Sequence, residues 1–217
     1  MREHDYEPVP GLPERLPPGE TVLWQGAPRF EALARRALHV RTIALYFAAL
    51  AAWRGISLAL DGAAAADIAL GVALLVVLGA AAIIPLALYA WASARSTLYT
   101  VTNRRVVIRA GVALPTSVNI PFASIEGAGL KLHGDGTGDI ALRLVPEQKI
   151  AYVMLWPHAR PWNFSRPQPM LRCVVEADAV AQTIGRALAA SAALPVQPVT
   201  EAEVRRPARA PAAAATI

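Results

Sequence analysis

The sequence predicts an α+β membrane protein: a two-helix transmembrane hairpin, then a small seven-stranded β-barrel or sandwich closed by a C-terminal helix. Three observations carry this. Two long apolar runs lie within Thr42–Ala92, separated by Asp61–Asp67 (DGAAAAD). After Arg95 the pattern changes to short alternating segments broken by Gly, Pro and Asn. From Asp178 to Ala193 the period becomes helical, with Val180, Ile184 and Leu188 repeating at four.

The second run is the clearer span. Ile68–Ala92 holds 25 residues without a charge, roughly 37 Å of helix where a hydrocarbon core needs ~30 Å. The first, Thr42–Leu60, contains Arg54. Its seven Leu, Ile and Phe residues supply about −0.3 to −0.6 kcal/mol each, against roughly +2.5 to +3.5 for a central Arg. Arg54 is about 9 Å of helix from Leu60, close enough for its long side chain to snorkel outward. The alternative is a pair of buried core helices. Ala44, Ala48 and Ala52 repeat at four, as do Ala51, Gly55 and Ala59. Gly71, Gly79 and Ala80–Ala82 are suited to face them, because small residues let helix backbones approach closely in lipid. Such a stripe also permits self-association into a homo-oligomer. Pro85 removes one hydrogen bond to Ala81 and predicts a bend.

The charge distribution predicts orientation. Arg29, Arg35, Arg36 and Arg41 precede the first span and Arg95, Arg104, Arg105 and Arg109 follow the second, whereas the intervening loop has two aspartates and no base. The positive-inside rule then puts both termini in the cytoplasm of a bacterial inner (cytoplasmic or intracytoplasmic) membrane protein. A net charge of +5 arises from scattered arginines, not from a basic run of the kind that binds nucleic acid, so no nucleic-acid partner is expected. The single Cys173 rules out an intramolecular disulfide framework and a cysteine zinc cluster. Met1–Gly19 lacks the apolar core of a cleavable signal.

In chain order, residues 1–27 read as an irregular, proline-rich segment with a short strand at Thr21–Gly26. Residues 28–41 form an amphipathic helix opened by Pro28, either lying on the inner leaflet or extending the first span. The spans occupy 42–60 and 68–92. The β-rich domain occupies 95–194, with strands at Thr97–Thr102, Arg104–Ala110, Ser117–Ile120, Gly127–His133, Asp139–Val145, Ile150–Trp156 and Met170–Glu176. Seven short strands closed by one helix is the order of a pleckstrin-homology (PH)-type barrel. Gly134–Gly138 (GDGTG) is a hairpin turn, not a phosphate loop, since no helix follows it. Residues 195–217 are Pro- and Ala-rich without period and are expected to be disordered.

The candidate functional residues lie outside the spans. In Trp156–Trp162 (WPHARPW) two prolines restrict the backbone and present Trp156, His158, Arg160 and Trp162, residue types that suit a partner-binding surface. Packing of both tryptophans back onto the barrel, or into the bilayer interface, is the competing reading. Arg35, Arg36, Arg104 and Arg105 are candidates for anionic lipid headgroups, with a solvated turn the equal alternative for the last two. The histidines raise the question of a pigment such as bacteriochlorophyll, but neither span has a mid-membrane His, and no pair has metal-ligand spacing. No nucleophile elbow, carboxylate pair or cofactor fingerprint is present, so neither catalytic residues nor a cofactor are expected.

Gly19–Pro28 (GETVLWQGAP) before the spans, with Tyr99–Gly111 (YTVTNRRVVIRAG) after them, resembles the bacterial membrane-anchored PH-like proteins. The run from Gly138 (GDIALRL), through Tyr152–Trp162 (YVMLWPHARPW), to Pro167–Leu188 (PQPMLRCVVEADAVAQTIGRAL) is similar to the PuhB family of photosynthetic complex assembly factors of purple bacteria. The resemblance covers roughly Pro10 to Leu194, and the Leu-Trp-Pro-His-x-Arg-Pro-Trp stretch is its most distinctive part. It implies a membrane-anchored, non-enzymatic role in assembling the photosynthetic reaction centre, or a reaction centre–light-harvesting complex, with reaction-centre subunits as partners. A lipid-binding PH-like module without a photosynthetic client, and a pigment-delivery factor, are the alternatives.

Overall fold

The computed structural model describes residues 12, 15–112, 114–148 and 150–192. The expected irregular start of the chain (residues 1–11), the C-terminal tail at 195–217 and His4 lie outside the described residues.

The element order is β1 (Val22–Gly26), α1 (Phe30–Arg36), α2 (Val40–Leu60), α3 (Ala65–Ser96), β2 (Leu98–Thr102), β3 (Arg105–Ala110), β4 (Thr116–Pro121), a 3-10 turn (Phe122–Ser124), β5 (Ile125–Leu132), β6 (Thr137–Leu144), α4 (Tyr152–Leu155), β7 (Met170–Val175) and α5 (Ala177–Ala192). The strands form a four-stranded sheet in the order β1-β2-β3-β4 and a three-stranded sheet in the order β5-β6-β7. The α+β class and the C-terminal helix are as expected; of the expected seven-stranded barrel or sandwich, a closed barrel built wholly from strands after the helices does not form. Six strands follow the hairpin, β1 precedes it, and they divide between two sheets. The predicted strand at Ile150–Trp156 is instead the short helix α4. A strand there needs an edge to pair with. The edge beside β7 is occupied by residues 158–160, through Met170 N–H to the His158 carbonyl (2.8 Å) and Arg160 N–H to the Gln168 carbonyl (2.9 Å).

The described residues fall into two compact units, one of residues 12, 15–17, 25–100, 107–112 and 114–118, the other of residues 18–24, 101–106, 119–148 and 150–192. In the first, α2 and α3 are longer than the expected spans, beginning two and three residues earlier, and α3 runs to Ser96 without breaking at Pro85. Both are long and apolar enough to cross a membrane. Leu60, Leu70, Val77 and Leu88 are exposed along them, whereas helices of a soluble core bury such residues. The glycines meet large neighbours, not the alanine stripe. A Cβ at Gly79 would stand 3.0 Å from Phe47, one at Gly71 3.0 Å from Leu58, and one at Gly55 3.2 Å from Val72. Helix α1 is a separate element: the backbone turns at His39 (φ 54) before α2 starts, so α1 does not continue the first span. Its Ala34, with Leu38, packs on Ala90, joined by Ala37, Val40 and Tyr89. Pro28 stands ahead of the helix, whose N-cap is Arg29. Arg95, in the last turn of α3, lies over the Trp91 ring at 5.0 Å.

In the second unit, α5 packs on β5, β6 and the 3-10 turn, burying Ala177, Val180, Ala181, Ile184 and Ala187 against a core that includes Phe122, Leu130, Ile140, Leu142 and Val174. The β5–β6 hairpin turns at His133–Thr137, closed by His133 N–H to the Thr137 carbonyl (2.8 Å). A Cβ at Gly138 would come within 2.6 Å of Ala177 Cβ. The start of β1 is stapled to the β2–β3 turn. Asn103 donates from Nδ2 to the Gly19 carbonyl (2.9 Å) and accepts the Thr21 N–H at Oδ1 (3.0 Å). Arg105 grips the buried Glu20 carboxylate with two contacts, at 2.7 and 3.1 Å.

Two outcomes follow. Gly79→Leu forces the Phe47 contact apart and costs about 1–3 kcal/mol, read as a lowered Tm of the full-length protein in detergent; an unchanged Tm contradicts this packing. Arg105→Met leaves Glu20 buried without its cation and costs about 1–3 kcal/mol, whereas Arg104→Met, at an exposed position, changes Tm little. Equal effects would mean that the Glu20 pair contributes nothing.

Candidate partner-binding surface

The surface is built on a fault in the β6–β7 ladder. Gly138 pairs with Val174 and Ile140 with Leu171, so Asp139 faces two residues, Arg172 and Cys173. This is a bulge, which leaves backbone groups without ladder partners. Cys173 adopts φ 54, and its N–H is taken up by Asp139 Oδ1 at 2.8 Å. The other oxygen, Oδ2, meets His133 Nε2 at 3.0 Å. A buried carboxylate thus stands in for a missing ladder bond, and Cys173 is fully buried. Because of the bulge Leu171, Arg172, Cys173 and Val174 are all buried, and normal alternation is lost.

Arg172 donates from Nη1 to the Pro157 carbonyl at 3.1 Å, holding the loop ahead of β7. His158 is 0% exposed. Its N–H reaches the Leu155 carbonyl and its carbonyl accepts the Met170 N–H. Burial, then the charge of Arg172, push its pKa down to about 3, so the ring is neutral. The Ala159–Pro169 bridge and the Leu142 N–H to Pro169 carbonyl bond (2.8 Å) complete the attachment. The expected role of His158 as a presented contact is therefore corrected. It is a core residue of the loop's base, out of reach of a partner or a pigment magnesium.

What this base carries outward is apolar. Val153 is 85% exposed and Trp162 87%, while Met154, Trp156 and Phe164 are about half exposed or more. Phe164 joins two of the rings, its centroid 4.8 Å from Tyr152 and 6.2 Å, edge-on, from Trp162. Trp162 stands clear of the domain, while Trp156 is about half covered by it. Arg160 is exposed and donates from Nη1 to Gln168 Oε1 at 3.0 Å. The structure thus brings Trp156, Arg160 and Trp162 onto the surface with Phe164 and excludes His158. Val153 and Met154 were missed because their alternation suggested a strand. The Asp139–His133–Cys173 arrangement was missed because nothing in the spacing announces a bulge.

The lipid candidates separate. Arg35 and Arg104 are exposed and Arg36 is half-buried, whereas Arg105 is committed to Glu20. That pair removes Arg105 as a free headgroup ligand.

The fold and the residues of the β-rich half define a class: the chain belongs to the bacterial PH domain family, which it matches over residues 42–188. A relative from Rhodobacter capsulatus is 40% identical over 190 residues, 86% of this chain and 89% of the relative. It bears the description "Uncharacterized 23.7 kDa protein in puhA 5'region". No solved structure matches the chain significantly.

A neutral buried His158 makes stability pH-dependent. The unfolded chain takes up this proton near the ordinary value of 6.5, the folded chain only near 3. Stability present above pH 6.5 is therefore lost as the pH falls toward 3, by up to about 1.4 kcal/mol per unit. Between pH 6.5 and 5, His158→Gln flattens this slope; identical slopes for variant and wild type contradict the assignment. Asp139→Ala strands the Cys173 N–H and costs about 1–3 kcal/mol, while Asp139→Asn, which keeps one acceptor oxygen, costs less. The two are compared by thermal unfolding at pH 7.5.

Proposed function

We propose that this chain is a membrane-anchored assembly factor for the photosynthetic reaction centre, or for a reaction centre–light-harvesting complex, acting by protein–protein contact and not by catalysis. The observation that carries the reading is the relative in the puhA 5' region, a photosynthesis gene region, which matches this chain along most of its length. It agrees with the PuhB-like character of the Tyr152–Trp162 stretch. The exposed aromatic surface supplies a place for contact, and reaction-centre subunits are the intended clients.

The membrane arrangement is part of the proposal. The helices α2 and α3 cross the bacterial inner membrane as a hairpin, with the Asp61–Asp67 loop outside and both termini in the cytoplasm. The arginine distribution supports this, and so does the pairing of β1 with β2. Strands that flank the hairpin in sequence and share a sheet have to lie on one side of the bilayer, so the chain between them crosses an even number of times. Exposed Arg104 and Arg35 are the side chains placed to meet anionic headgroups, an accessory contact of about 1 kcal/mol each near such a surface.

Deletion of the gene in a phototrophic host reduces reaction-centre absorbance per unit of membrane protein without reducing free pigment synthesis, and the wild-type gene restores it. Normal reaction-centre content in the deletion strain would sink the proposal. A fall in pigment synthesis first would instead favour pigment delivery.

A further inference from the structure

Trp162 is an unusual residue to find exposed. It lies in the left-handed region at φ 63, a conformation that bulky L-residues rarely adopt, and it is 87% exposed. Among the described residues its ring makes a single aromatic contact, edge-on with Phe164 at 6.2 Å. Strained, non-glycine residues persist where their surroundings over-determine them, and they mark functional positions. Here the surroundings are visible: Arg160 and Gln168 are joined by both backbone and side-chain hydrogen bonds, and Tyr152 packs at a tilt against Phe164, which in turn meets the indole.

Charge selects among occupants. From Gln148 to Val175 the sequence has no Asp or Glu. Arg160 and Arg166, both exposed, stand two residues before Trp162 and four after it. The complementary surface is apolar at its centre and acidic at its rim. A fluid bilayer adapts to any flexible aromatic, and so gains little from one held in a fixed, strained pose. A shaped protein pocket gains directly, because the ordering cost of the anchor has already been met.

We propose that Trp162, with Phe164 beside it, is the anchor that enters an apolar pocket of a protein partner whose rim carries carboxylates facing Arg160 and Arg166. This rests on the assembly reading and gives the chemistry of the client's contact.

The test places the photo-crosslinker p-benzoylphenylalanine at position 162 of the full-length chain, in native membranes of cells building photosynthetic complexes. The expected adduct is a reaction-centre protein whose crosslinked peptide carries Asp or Glu within about one helical turn of an apolar site. Its yield falls roughly tenfold in Arg160→Glu/Arg166→Glu. In parallel, Trp162→Gly relieves the backbone strain, so its Tm equals or exceeds wild type while reaction-centre accumulation falls to the level of the deletion strain. Adducts with lipid only in those membranes overturn the proposal, as does a protein adduct indifferent to the charge reversal. A core-like fall in Tm for Trp162→Gly also overturns it, by making Trp162 a packing residue. If the gene deletion impairs assembly but any of these contrary results is found, the inference fails alone. Normal reaction-centre content in the deletion strain overturns both.

Discussion

One constraint organises this chain: β1 comes before the helical hairpin, β2 comes after it, and the two are hydrogen-bonded neighbours. Seventy-one residues separate Gly26 from Leu98, so closing this loop has an entropic cost that grows slowly with its length. The helical hairpin lowers that cost, because an antiparallel pair of helices returns the chain to where it left. The remaining definition comes from a few polar contacts at Gly19–Thr21. Asn103 satisfies one backbone donor and one acceptor there, and Arg105 neutralises a carboxylate that burial would otherwise penalise. Polar groups of this kind fix register more than they add stability, since hydrophobic burial is indifferent to a slip along the strand while a two-point ion pair is not.

The second unit solves a different problem, how to hold a long connection before β7 without making it a strand. Its solution is polar and internal. The bulge at Asp139 redirects Arg172 toward the Pro157 carbonyl, and the neutral His158 ring fills the space beneath. A buried guanidinium and a buried imidazole are costly, and packing them at the base of one loop makes sense where that loop needs a fixed shape. The half-buried Tyr152 and the exposed Phe164 and Trp162 pack ring to ring on this base. The apolar surface is thus the outer face of an ordered structure, in keeping with a recognition role.

Much of this was legible in the residues. The 25-residue uncharged run, the alternation in TLYTVT and RRVVIRA, and the four-residue repeat of Val180, Ile184 and Leu188 are periodic signals that burial alone imposes, and the corresponding elements form. The GDGTG hairpin follows from turn chemistry of equal simplicity. What could not be read depends on partners far away in sequence. Thr21–Gly26 looked strand-like, but its neighbour lies beyond three helices. Ile150–Trp156 alternates as a strand does, yet the edge it needed was taken by residues just after it. His158 sits between two prolines and looks presented, whereas Arg172 and β7 enclose it. Arg105 looks like its neighbour Arg104, and only the position of Glu20 distinguishes them.

The claim on which the account turns is that both sheets lie on the arginine-bearing side of a membrane crossed twice. Single cysteines at Ala64→Cys, in the turn between the helices, and Ser165→Cys, beside the aromatic surface, test it with an impermeant maleimide on spheroplasts; both sites are exposed, and the buried Cys173 gives little background. The account predicts labelling at position 64 in intact spheroplasts and at position 165 only after lysis. Labelling of position 165 from outside, or of neither before lysis and both after it, would contradict it.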